Sequence, residues 1–157
     1  MDITSLFRTY KDDVFRFALS FVKDVALAED ICQDVFLSLV KLSQSGERIV
    51  QGKVKSWLMT ATRNTSLNLL KKRGFESATE SDSLALEATT TDTYDFEFFA
   101  LLACLDDTDK QIVTLHIVNG LKHHETAQVL QLKAGTVRQR YARALSAIKT
   151  DMEESDL

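Results

Sequence analysis

Arg138, Gln139, Arg140 and Arg143 are four side chains that, presented together, could read and grip DNA. Guanidinium forks match phosphates and guanine edges, and a glutamine amide matches an adenine edge. They sit in the 23-residue window from Lys122 to Ala144, KHHETAQVLQLKAGTVRQRYARA, which has the layout of a helix-turn-helix. A first helix carries Glu125, Ala127, Val129 and Leu130, a break falls at Leu132 to Gly135, and Thr136 is placed to cap a second helix. At about 100° per residue, Val137, Tyr141, Leu145, Ile148 and Met152 form one stripe of that second helix and are expected against a core. Gln139 and Arg143 project the opposite way, with Arg138 and Arg140 on the flanks, as a major-groove helix requires. Tyr141 is expected to serve the core first and DNA second.

Charge is segregated along the chain. From Lys133 to Lys149 there are five cations and no acid, and from Lys53 to Phe75 there are six cations (Lys53, Lys55, Arg63, Lys71, Lys72, Arg73) and again no acid. Each block is a candidate phosphate-binding surface. Between them, residues 76–109 hold ten acids and no cation, and four more acids follow Thr150. The net charge of -4 therefore excludes a uniformly basic nucleic-acid coat, yet conceals two positive surfaces.

Other chemistries find little support. Cys32 and Cys104 are far apart and form no CxxC, and the histidines are His116, His123 and His124, so zinc-site spacing is missing. The adjacent His123 and His124 point about 100° apart on a helix and read as surface residues. Both thiols are expected to be buried and reduced. No metal and no cofactor is assigned. No nucleophile, base and orienting group fall at a recognisable spacing, and no phosphate-binding glycine loop occurs, which argues against an enzyme and a small-molecule substrate. The opening MDITSLFRTYKDD has neither a basic leader nor an apolar signal core, and no apolar run nears the roughly 20 residues of a membrane span. A cytoplasmic protein without membrane insertion is expected.

The elements that must position these side chains are helices. There is no proline, and the five glycines fall between periodic segments, as helix punctuation does. Leu6, Tyr10, Val14, Phe17 and Phe21 define a first amphipathic helix ending near Lys23. Asp24 caps a second, with Ala28, Ile31, Val35, Leu39 and Leu42 inward and Asp30, Gln33 and Leu37 on the far side, apolar enough all round to offer a face to another protein. After a loop from Ser43 to Gly52, a third helix runs from Lys53 to Arg73 with Val54, Trp57, Leu58, Ala61, Thr65 and Leu69 inward. Trp57 is read as a core anchor. Two short helices, Phe96 to Leu105 and Asp109 to Val118, precede the helix-turn-helix. The expected fold is all-α: a first helical domain over 1–75, a flexible acidic linker over 76–95 and a second helical domain over 96–157.

Read together, AEDICQDVFLSLVKL (28–42), SWLMTATRNTSLNLLKKR (56–73) and LDDTDKQIVTLHIVNGLKHHETAQVLQLKAGTVRQRYARAL (105–145) resemble the extracytoplasmic-function (ECF) group of bacterial RNA polymerase sigma factors, which keeps only regions 2 and 4. Three departures stand out. Leu105-Asp106 replaces a common Leu-Pro, Thr126 takes the place of isoleucine in Glu-Ile-Ala, and Leu130-Gln131 replaces a Leu-Gly turn.

The resemblance implies a dissociable polymerase subunit, not an enzyme. Asp30, Gln33, Asp34 and Leu37 would meet the β′ clamp helices, and region 4 would meet the β flap. The loop from Ser43 to Lys53 would hold a flipped base of the -10 element, with Lys53, Lys55, Arg63 and Asn64 beside it and Lys71, Lys72 and Arg73 on backbone phosphates. Thr136, Arg138, Gln139, Arg140, Tyr141 and Arg143 would engage the -35 major groove. The acidic linker would thread toward the RNA exit path, and a cognate anti-sigma factor would hold the subunit in check. A decoy that binds only the anti-sigma factor would lack the basic blocks. An ordinary helix-turn-helix repressor would leave 28–42 and 56–73 without a task.

Overall fold

The computed structural model describes residues 2–50, 52–73 and 93–155, and every regular element among them is helical. Helix α1 spans Ile3–Val22. Its N-cap Asp2 accepts a hydrogen bond from the Ser5 N–H at 3.3 Å, satisfying one of the four amides a helix start leaves unpaired. It ends at Lys23, which enters the left-handed region (φ 53°) so that its N–H reaches the Leu19 carbonyl. Asp24 then caps α2, Val25–Gln44, by accepting from the Leu27 N–H at 3.2 Å. Helix α3 spans Val54–Arg73. The three helices form a bundle around Val14, Phe17, Ile31, Val35, Leu39, Leu58 and Met59, all essentially inaccessible to solvent. Each large apolar side chain so buried stabilises the fold by roughly 1.5–3 kcal/mol.

The face that α3 turns inward differs from the expected one. Leu58 is buried, but Met59, Thr62 and Ser66 join it, while Val54, Trp57, Ala61, Thr65 and Leu69 lie half-buried at the rim. The Thr62 hydroxyl donates to the Leu58 carbonyl at 2.6 Å, which removes the penalty for burying it. A polar residue can therefore occupy a core position that hydropathy assigns to its neighbours.

The second half starts with α4, Thr93–Leu101, and a 3-10 turn, Leu102–Cys104. The expected acidic linker over 76–95 lies outside the described residues as far as 92. Helix α5, Asp107–Val113, is capped by Asp106, which accepts from the Asp109 N–H at 2.8 Å. A π-helical turn, Thr114–Val118, continues it, so the expected single helix over 109–118 is split in pitch. Helix α6 is His123–Leu130 and α7 is Ala134–Ser155. Thr136 therefore falls within the first turn of α7 instead of capping it.

The helix-turn-helix closes through Gln131, whose backbone is left-handed (φ 58°, ψ 45°), the conformation for which glycine is the usual occupant. On α7, Val137 and Ala144 are buried and Tyr141 and Ile148 half-buried, whereas Leu145 and Met152 are exposed. The stripe thus runs 137, 141, 144, 148, and the expected inward Leu145 and Met152 point outward. Cys32 is buried as expected, but Cys104 is exposed.

The two halves are joined by more than the chain between them. One continuous core cluster unites Phe17, Leu39, Leu58 and Met59 of the first bundle with Ile112, Leu115, Leu121, Val129, Leu130 and Val137 of the second. A smaller cluster, Leu102, Leu105, Val113 and Ala144, belongs to the second half alone. Polar bonds cross the seam: Asn119 Nδ2 donates to the Asp13 carbonyl at 3.2 Å, Ser56 Oγ to Glu125 Oε2 at 3.5 Å, and Lys23 Nζ to Asp107 Oδ1 at 3.3 Å.

Candidate nucleic-acid and partner interfaces

On α7 the six sequence-predicted DNA residues do not act as one surface. Arg138, Gln139 and Arg143 are exposed, on the side of α7 away from the core. Arg140 turns back to α5, where its Nη1 lies 3.0 Å from Asp109 Oδ1 and 3.6 Å from Asp106 Oδ2. Tyr141 is half-buried, packed edge-on against His116 with centroids 4.7 Å apart and tilted over His123 at 4.9 Å. Thr136 is half-buried in the first turn. The sequence offers no signal for the Arg140 ion pair, because the carboxylates lie some thirty residues upstream.

The outer face of α2 carries Asp30, Gln33, Asp34 and Leu37, all exposed, with Leu37 at 52%. They line an open groove of about 600 Å³ between α2 and α3, together with Leu27, Leu69, Lys72 and Arg73. Leu27, Ile31, Leu37 and Leu69 set among charged groups of both signs make a surface suited to a protein helix. Lys72 and Arg73, expected on DNA phosphates, thus share this groove with the acidic residues of α2, and Lys71 is exposed beside them.

The loop after α2 bounds a second, shallower hollow of about 420 Å³ lined by Arg48, Ile49, Val50, Lys53, Trp57 and Thr60 on one side and by Gln128 and Val129 of α6 on the other. Arg48 and Trp57 were not singled out for DNA by their spacing. Trp57 lies at the hollow's edge because the inward face of α3 is rotated. Lys53 and Asn64 are exposed and Arg63 half-buried. Lys55 is drawn into the seam: its Nζ stands 5.9 Å from the Tyr10 ring centroid and 3.5 Å from where a Cβ on Gly120 would lie. Burial there pushes the Asp13 carboxyl above its usual range, against the opposing pull of Lys55 and Arg16.

His123 departs from the expected surface histidine, since it is half-buried and stacked on His116 at 4.4 Å. Among the described residues there is no group of three or more His, Cys, Asp or Glu placed to hold a metal ion. No helix among them is long and apolar enough to cross a membrane.

Comparison with known proteins agrees with this geometry. Residues 6–76 match the family model of Sigma-70 region 2, and residues 96–148 that of Sigma-70, region 4. The chain is similar to the ECF RNA polymerase sigma factor SigM of Bacillus subtilis, 27% identical over 156 residues that cover 95% of this chain and 94% of the relative. It is also similar to the RNA polymerase sigma factor SigV of the same organism, 28% identical over 151 residues, covering 94% and 89%. In fold it is similar to the sigma factor RpoE of Bartonella quintana, solved with the anti-sigma factor NepR, at a TM-score of 0.72 with 17% identity and 97% of each chain covered. CnrH, solved with the cytosolic domain of CnrY, gives a TM-score of 0.69 with 19% identity, covering 97% of this chain and 88% of that one.

Proposed function

Because the chain belongs to the sigma-70 family of RNA polymerase sigma factors, within its ECF group, we propose that it acts in the cytoplasm as a promoter-specificity subunit. It has no catalytic chemistry of its own. It binds core polymerase, directs it to a -35 and a -10 element, and assists melting at the latter. The division of labour follows 1–75 for core and -10 contacts, 76–95 as an acidic connection and 96–157 for the -35 element.

The observation that carries this reading is the groove between α2 and α3, where exposed Leu37 sits among Asp30, Gln33 and Asp34. An isolated DNA-binding module has no use for such a surface, whereas a subunit that docks on the β′ clamp helices does. Arg138, Gln139 and Arg143 read the -35 groove directly, while Thr136, Arg140 and Tyr141 hold the helix that presents them. Lys53, Arg63, Asn64 and Lys71 to Arg73 serve the -10 element, and Lys55 joins them once the seam parts. Extruding a base costs a few kcal/mol, which the hollow beside Trp57 offsets through stacking and edge hydrogen bonds. The β flap and a cognate anti-sigma factor complete the set of partners, in line with the sigma factor RpoE of like fold bound to the anti-sigma factor NepR.

In vitro transcription by core polymerase over a promoter library tests the reading. Start sites that appear only with the added chain, and that share two spaced motifs, support it. A chain that never associates with core polymerase overturns it. Replacing the linker acids with Ser and Gly tests the RNA-path role separately, through the ratio of abortive to full-length RNA.

A further inference from the structure

His116, in the π-helical turn, and His123, the first residue of α6, stack face to face with centroids 4.4 Å apart and an interplanar angle of 18°. Tyr141 of α7 closes against both rings. Their nitrogens are not equivalent. His116 Nδ1 lies 2.8 Å from the Leu121 carbonyl and must carry the proton that it donates. His123 Nδ1 is buried and has no protein partner. A phenyl ring would pack in its place without stranding a polar atom, so packing alone does not explain an imidazole here. What imidazole adds is a charge that can appear near neutrality.

We propose that His116, His123 and Tyr141 form an acid-sensitive joint, which clamps α7 onto α6 and the π-helical turn while the His123 imidazole is neutral and loosens when it becomes charged. The bond from His116 to Leu121 braces the turn at 115–121. That turn also carries Asn119, whose amide donates to the Asp13 carbonyl across the seam. A loosened joint therefore acts on two contacts, the seating of the DNA-reading helix and the packing of the two halves.

The surroundings of His123 favour its neutral state. Burial pushes the His123 imidazole below its ordinary value, and the neighbouring His116 and then Arg138 of α7 push it the same way. Among the described residues no carboxylate offsets this; Glu125, two residues on, turns its oxygens to the Lys122 N–H at 2.9 Å and to Ser56 across the seam. His124 is exposed. The sign follows from linkage: a base with a lowered folded-state value binds its proton more readily unfolded. The contribution is whole above the unfolded value near 6.5 and is lost as pH falls through the lower folded value.

The device stands independently of the promoter reading, and its test uses only the folded full-length chain. Thermal melting is followed from about pH 7.5 down to about pH 5.5 for the native protein, His123→Phe and His124→Gln, alongside NMR of the histidine and tyrosine rings. The native melting temperature should fall with pH. His123→Phe should melt at or above the native temperature at the upper pH and lose less than half as much on acidification, whereas His124→Gln should lose as much as the native chain. The Tyr141 ring resonances should move with the same midpoint as His123. An undiminished loss in His123→Phe overturns the joint. So do Tyr141 resonances that stay fixed while His123 titrates, a readout that needs no variant to fold.

Discussion

Arg140, on the second turn of α7, donates through Nη1 to Asp109 Oδ1 at 3.0 Å, and so ties the helix proposed to face DNA to the start of α5. Asp109 keeps 19% of its side-chain exposure and Arg140 31%, so the pair is shielded enough to contribute, but not so deeply that desolvation cancels it. Arg138 and Arg143, on the same helix, are exposed. Three arginines within six positions therefore divide between one held in an ion pair and two exposed to solvent.

That division is testable by comparing two alanine variants. Arg140→Ala should lower stability by about 1–2 kcal/mol, since it also leaves Asp109 without its partner. Arg143→Ala should leave stability within about 0.5 kcal/mol of native and weaken binding at the -35 element by roughly 1–3 kcal/mol. Urea unfolding and duplex-binding titrations would measure the two effects. The reverse pattern would mean that the reading face of α7 has been misplaced.

Leu37 offers a test of the core-polymerase groove. At 52% exposure it contributes little to the fold, so Leu37→Ala should leave the melting temperature nearly unchanged. Its affinity for core polymerase should fall about tenfold or more if it is a central apolar anchor of that interface. Native affinity in a competition assay would remove α2 from the docking surface.

Gln131 holds a left-handed conformation (φ 58°) at the turn of the helix-turn-helix. Side chains with a Cβ are strained there by roughly 1–2 kcal/mol. Gln131→Gly should therefore stabilise the chain by about 1 kcal/mol, net of the larger unfolded-state entropy of glycine. Gln131→Val should destabilise it. Equal stabilities across the three residues in chemical denaturation would contradict the turn geometry.

The two thiols should differ in reactivity. Burial, with Asp12 and Glu29 nearby, pushes the Cys32 thiol up to about 11, and it lies 3.7 Å from the Lys11 carbonyl. Cys104 is exposed. Near pH 8 a thiol reagent should label Cys104 quickly and Cys32 only through opening of the bundle, with Cys32 becoming accessible in denaturant. Rapid labelling of both thiols in the folded protein would refute the packing of α2 against α1.

Much was legible in the chain alone. The helical class, the cap at Asp24 with the break between α1 and α2, the outward face of Asp30, Gln33 and Leu37, and the helix-turn-helix all follow from short-range rules. Apolar period, capping residues and acid-free basic blocks act over a few turns, and those distances are written directly in sequence. The order of three motifs identified the family by the same local means.

Tertiary structure decided what depends on partners distant in sequence. Arg140 reads as a phosphate-seeking guanidinium until Asp106 and Asp109 fold against it, and His123 reads as a surface residue until His116 and Tyr141 arrive. Thr62 and Ser66 enter the core of α3 because packing, with a backbone acceptor for the Thr62 hydroxyl, outweighs hydropathy. Two halves that read as separate domains share one core, since α5 and the π-helical turn pack on α1 and α6 packs on α3, contacts that no periodicity can announce. Local chemistry chose the elements, and the burial of area between remote segments chose which face of each element is free to act.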